Sequence, residues 1–130
     1  MSLSEEIMDA VGYHGNWKQR FRHAIETGTG DFVVEQIKND NQCDFGKWLY
    51  SLSADEKNSS HWSNIQQLHA KFHIEATRSL ELAAQGKHND AENAISKGSN
   101  YAILSCEMTM AMVEWKISLS DTGNLTSGSS

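Results

Sequence analysis

The chain has 130 residues, 38% of them hydrophobic and 22% charged, with a mean hydropathy of −0.55 and a formal net charge of −6. Such a chain is one soluble domain with a core of moderate size. Its acidity excludes nucleic acid as the expected partner and disfavours contact with an anionic membrane. No apolar run approaches the roughly 18 residues that cross a bilayer. The opening Met1-Ser2-Leu3-Ser4-Glu5-Glu6 also lacks the basic start of a signal peptide. The two cysteines, Cys43 and Cys106, therefore read as free thiols of a reducing, cytoplasmic compartment rather than as a disulfide. Proline is absent, which favours long helices joined by polar loops.

From Ser4 to about Thr27, Ile7, Val11, His14, Trp17, Phe21 and Ile25 recur every three or four residues, the period of an amphipathic helix. Thr27-Gly28-Thr29-Gly30-Asp31 is a stop-and-restart signal. Phe32 to Lys38 reads as a short helix, with the β-branched pair Val33-Val34 leaving a strand open. Asn39-Asp40-Asn41-Gln42 is a polar turn delivering the chain to Cys43. A short helix with Phe45, Trp48 and Leu49 follows.

Ser53-Ala54-Asp55-Glu56 fits a capping box for a brief turn. A second long helix is predicted from about Ser60 to Gln85, ended by Gly86 in a left-handed cap. A third runs from Asp90 to about Leu119, capped by Asn89 and open to a bend at Gly98-Ser99. Its core stripe includes Tyr101, Ser105, Met108, Met112 and Trp115. Met110 and Cys106 also read as core, a surface thiol being the alternative for Cys106. The expected fold is all-α: an antiparallel bundle of three long helices plus one or two short ones, with the cysteine motif on a short helix. The bundle is expected over 1–119, and 120–130, rich in Ser and Gly, as a disordered tail or linker stub.

Three histidines stand on apolar stripes. His69 and His73 are four residues apart on one helix face, which puts them about 6 Å apart, and His14 lies between Val11 and Trp17. Taken singly, each reads as a hydrogen-bonded core residue, and Cys43 as an inert buried thiol. Together they form one thiolate and three imidazoles, a complete tetrahedral zinc set. Three buried imidazoles without partners would be costly, and a shared metal removes that cost. His23 falls on the face opposite His14. His61 precedes His69 by two turns, roughly 12 Å along the axis. His88 is expected in a loop, and all three read as solvated. Trp17, Phe45, Trp48 and Phe72 read as core that also shields the ligands. Asp40, Asp44 and Glu75 are candidates to support the ligands.

His14-x-x-Trp17, Cys43-x-Phe45-Gly46-x-Trp48-Leu49 and His69-x-x-x-His73, in that order, resemble the chemoreceptor zinc-binding (CZB) domain of bacterial chemoreceptors and diguanylate cyclases. The likeness covers about residues 5 to 119, and the cysteine motif is its most diagnostic part. The resemblance implies zinc ligated by His14, Cys43, His69 and His73, a helical bundle, and commonly a homodimer. It also implies regulation of a signalling output, chemotaxis or cyclic-di-GMP, by zinc or by oxidants acting on the ligand cysteine. Family members are usually joined to a receptor hairpin or a cyclase, and this chain has neither. It is expected to be an excised domain or a free-standing member acting in trans. A structural zinc staple in a dimerisation or adaptor module is the second reading. An enzyme is disfavoured: four protein ligands close the site, no HExxH is present, and no histidine has the Glu three residues before it that di-iron bundles use.

Overall fold

The computed structural model describes residues 2–28 and 32–125, with side chains through residue 119. Its elements in chain order are α1 (Leu3–Thr27), α2 (Val34–Ile37), α3 (Asp44–Ser51), α4 (Ala54–Lys57), α5 (Ser60–Ala84), α6 (His88–Ala94) and α7 (Asn100–Leu125). No strand occurs among the described residues, so the fold is the expected all-α bundle, with α1, α5 and α7 as its long members. The strand left open at Val33-Val34 is not formed: Val33 is extended, but only as the cap of α2.

Local chemistry sets most of the boundaries. Ser2 and Glu5 form a capping box that begins α1, and Gly28 ends it at φ 70°, a left-handed conformation that glycine adopts without strain. Ser53 and Glu56 form the capping box foreseen for α4. Past α5, Gly86 turns the chain at φ 80°, as its sequence position predicts.

The C-terminal third departs from expectation. A single helix from Asp90 to Leu119 is replaced by two. Gly98 takes φ 87°, which breaks rather than bends the helix, so α6 stops at Ala94 and α7 starts anew at Asn100. Asn89 is not the cap either: α6 begins two residues earlier than expected, at His88, after the cap residue Lys87. At the other end α7 continues to Leu125, past Leu119 where the stripe fades. Of the tail expected to be disordered over 120–130, 120–125 are the helical end of α7, and 126–130 lie outside the described residues. Among the described residues, four short helices are found instead of one or two, because the α6 break adds one and single turns form α2 and α4.

The long helices pack α7 against both α1 and α5. Two apolar clusters result. One gathers Ile7, Phe45, Leu49, Ile65, Met108, Met112 and Trp115. The other gathers Trp17, Phe21, Ile25, Ile37, Phe72, Ile95 and Tyr101. Cys43 touches both and stands at their junction. Two core assignments fail: Met110 is 57% exposed and Cys106 lies at the surface. Both sit on the outer side of α7, so an apolar residue on a helix did not imply a buried one. His61 is half-buried, its ring stacked on Trp115 at 6.4 Å, rather than solvated. His88 lies on α6, exposed and paired with Glu92 at 2.7 Å.

Candidate metal centre

The turn before α3 is held in place by glycine. A Cβ at Gly46 would overlap the Asp40 carbonyl oxygen, so only glycine lets residues 39–41 lie against the first turn of α3. The Gly46 N–H donates to Cys43 Sγ at 3.3 Å, which makes the cysteine side chain the N-cap of α3. Its sulfur thus sits where a helix terminus favours negative charge. Without a cation nearby, burial still pushes the Cys43 thiol above its ordinary pKa, partly countered by the Gly46 amide.

α5 presents the next two groups from one face. Cys43 Sγ lies 3.3 Å from His69 Nε2 and 3.4 Å from His73 Nε2. Both histidines are buried, and their rings meet edge to face at 4.6 Å. Among the described residues, Cys43, His69 and His73 are the group of possible ligands whose donor atoms all lie within 4.8 Å of one another. Zinc bonds of about 2.3 Å to sulfur and 2.0 Å to nitrogen, at tetrahedral angles, put sulfur and nitrogen about 3.6 Å apart. The observed spacing is close to that.

The far nitrogens show how the rings are oriented. His73 Nδ1 is 2.8 Å from the Ile37 carbonyl oxygen, so Nδ1 carries the proton and Nε2 keeps its lone pair toward Cys43. His69 Nδ1 is buried with no hydrogen-bond partner; Asp40 Oδ2, at 3.6 Å, is just outside reach. A buried orphan nitrogen is costly, and a ring drawn slightly toward Asp40 would satisfy it. Asp40 is itself fixed by the Tyr50 hydroxyl at 2.8 Å, which in turn accepts from Gln66. The nearby His69 ring holds the Asp40 carboxyl below its usual range, so it is ionised. Burial, with the neighbouring His69 charge, lowers His73 to about 4, so at neutral pH it is an unprotonated donor.

His14 is placed differently. It is buried beside the same group, edge-on to Phe72 at 4.8 Å and Phe45 at 6.0 Å, and Phe45 also packs on His69 at 4.8 Å. Its Nε2, however, is hydrogen-bonded to Ser105 Oγ on α7 at 2.9 Å. It does not belong to the cluster whose donor atoms lie within 4.8 Å. Burial, followed by Lys18 and the two other imidazoles, lowers its pKa to about 3.

Of the three supporting carboxylates expected, Asp40 is in position, Glu75 pairs with Arg78 at 2.9 Å, and Asp44 is exposed. Sequence reading missed the Ile37 carbonyl, Tyr50 and Ser105. Ser105 was legible as a polar residue on an apolar stripe facing the histidine helix. The main-chain carbonyl carries no side-chain signal at all. A cavity of about 590 Å³, whose walls include Trp17, Arg20, Phe32 and Ile37, reaches Cys43 and His73 from outside.

No curated protein and no solved structure matches the chain. The family profile described as "Chemoreceptor zinc-binding domain", CZB, matches residues 14–80, a span that begins at His14 and includes Cys43, His69 and His73. With that match over more than half its length, the chain belongs to the chemoreceptor zinc-binding domain family.

Proposed function

We propose that this domain is a reversible zinc sensor in which Cys43, His69 and His73 hold the ion and His14 completes the set. The observation that carries the reading is the pair of 3.3 and 3.4 Å contacts between Cys43 Sγ and the Nε2 atoms of two buried histidines, His69 and His73. Zinc would stabilise Cys43 as a thiolate and tie the start of α3 to the middle of α5. His73 is aimed by the Ile37 carbonyl, and a slight shift of the His69 ring toward Asp40, 3.6 Å away, would aim His69 in the same way. The cavity at Cys43 and His73 gives chelators and small oxidants a path to the sulfur. Transfer of one oxygen atom from a peroxide or hypochlorite would turn the Cys43 thiolate into a sulfenic acid, a poorer ligand. Loss of the ligand frees the segment bearing Phe45 and Trp48, which packs on α1 and α7, and so alters the bundle.

Membership of the family is the support for proposing a signalling output, chemotaxis or cyclic-di-GMP control through a chemoreceptor or cyclase in cis or in trans, and likewise for proposing cytoplasmic placement and homodimerisation. The second reading, a structural staple in a dimerisation or adaptor module, draws on the position of Cys43 between the two apolar clusters.

One experiment separates them. Bound zinc per chain is measured before and after treatment with a strong chelator, while circular dichroism follows helix content in the same samples. One zinc that leaves with the helices intact supports the sensor. One zinc whose removal melts the bundle supports the staple. Protein purified without chelator that carries no zinc, and takes up none, overturns both.

A further inference from the structure

The groove between α1 and α7 collects cations without acids. Lys18 and Arg22 stand one turn apart on α1, and Lys97 comes from the link between α6 and α7. No Asp or Glu lines the groove, although the chain carries 17 acidic residues against 11 Lys and Arg. None of the three cations forms an ion pair with a carboxylate among the described residues. Arg22 Nη2 donates to the Ile95 carbonyl at 3.0 Å, which holds the guanidinium in place and leaves its other N–H groups to donate elsewhere. Burial, and after it Arg22, push the Lys18 ammonium below its ordinary pKa, as expected where like charges share one groove.

Tyr101 lines the same groove. It is 3% exposed, and its hydroxyl has no hydrogen-bond partner among the described residues. Its ring packs on Phe72 at 4.6 Å and Phe21 at 6.1 Å, which fixes where the hydroxyl lies. Burial raises the pKa of that hydroxyl, and the Arg22 charge acts on it in the opposite sense. A buried O–H donor without an acceptor is costly, and an anion held by Arg22 supplies the acceptor. The cavity measures about 640 Å³, and Gly15 on its wall leaves it open: a Cβ there would meet nothing within 4 Å. Three cations and a hydroxyl match a doubly charged group with three free oxygens better than a carboxylate, with one charge and two oxygens.

We propose that the groove between α1 and α7 binds a phosphate dianion, free or as the head of a small soluble ester, with Lys18, Arg22 and Lys97 supplying the charge and Tyr101 a hydrogen bond. Ile95, Ala102 and Met110 give the rest of the groove an apolar wall, against which the body of an ester fits. The site stands apart from the proposed zinc ligands, although Ser105, the partner of His14, borders it.

The test titrates the whole chain with inorganic phosphate by calorimetry at low salt. One saturable site is expected, with acetate binding about tenfold more weakly or less. Lys18→Gln and Lys97→Gln should each weaken phosphate by about tenfold, with helix content and bound zinc unchanged. Tyr101→Phe keeps the ring packing and should weaken phosphate by about threefold or more. In phosphate-free buffer the same variant should melt no earlier than the parent, because it deletes an orphan hydroxyl. Glycerol 3-phosphate binding at least as tightly as inorganic phosphate assigns the groove to an ester, and weaker binding assigns it to the free ion. No saturable phosphate binding up to about 10 mM overturns the proposal. So does acetate binding as tightly as phosphate, or phosphate binding that the three variants leave unchanged. If Tyr101→Phe lowers the melting point without phosphate, the hydroxyl already has a partner and the assignment fails.

Discussion

The two sides of the metal centre are built in different ways. Cys43, His69 and His73 converge before any ion is considered: one is a helix cap, and another is aimed by a main-chain carbonyl. Gly46, three residues from Cys43, and Ile37, 36 residues from His73, supply these supports, both nearer in sequence than that of His14. His14 comes from α1, and its support is a single hydroxyl on α7, 91 residues away in sequence. The first side is a preformed three-point site. The second is a joint between two long helices. Drawing His14 toward the cluster would have to act on the α1–α7 contact, so in the proposed zinc site His14 would be the ligand placed to transmit a change.

Breaking the preformed side should give the largest effect. Zinc binding of about 10–16 kcal/mol shared over four ligands leaves roughly 3 kcal/mol for each, about a hundredfold in affinity. Cys43→Ser should cost at least that much in competition with a chromogenic chelator. His14→Ala should cost less, since His14 has to adjust before it can donate. Equal losses would show that the two sides do not differ, and an unchanged affinity for Cys43→Ser would remove the basis of the site.

A smaller effect sharpens the comparison from the same side. Asp40, 3.6 Å from His69 Nδ1, is the carboxylate placed to orient His69 in the proposed zinc site, and such supporting groups are worth about 10–100-fold in metal affinity. Asp40→Asn keeps the shape and the link to Tyr50 but removes the charge. It should lower zinc affinity within that range while leaving one zinc per chain at saturation. No change would mean that His69 Nδ1 finds another acceptor.

How legible all this was in the sequence follows the same division. Periodicity and glycine stops read α1 and α5 almost to the residue, because Gly28 and Gly86 act locally, while the Ser2 cap that starts α1 was not foreseen. They failed at Gly98, where glycine in a helical pattern could mean a bend or a break, and the left-handed φ of 87° makes it a break. The cluster of Cys43, His69 and His73 was legible because the histidines share a face of one helix and the cysteine follows a marked turn. The relation of His14 to the others was not, since it depends on where α7 lies beside α1. Exposure of Met110 and Cys106 was missed for a related reason. α7 is apolar all round, and no periodicity separates its inner face from its outer one.

Ser105 gives the finest test. Metal-bound histidines usually donate their second ring N–H to a fixed acceptor, and Ser105 Oγ is suited to that role for His14 Nε2, leaving Nδ1 as the donor toward zinc. Ser105→Ala then removes an orienting bond from a buried ring. Zinc affinity should fall by about tenfold, the lower end of the range for such supports, and the metal-free protein should lose about 1 kcal/mol in urea denaturation. A rise in affinity would carry the opposite meaning: Ser105 competes with zinc for Nε2, and the joint between α1 and α7 opens when the ion binds. Either way, the sign of the change identifies which nitrogen of His14 faces the centre. A double variant with His14→Ala checks the route, because the effect of Ser105 on zinc should vanish once His14 is gone.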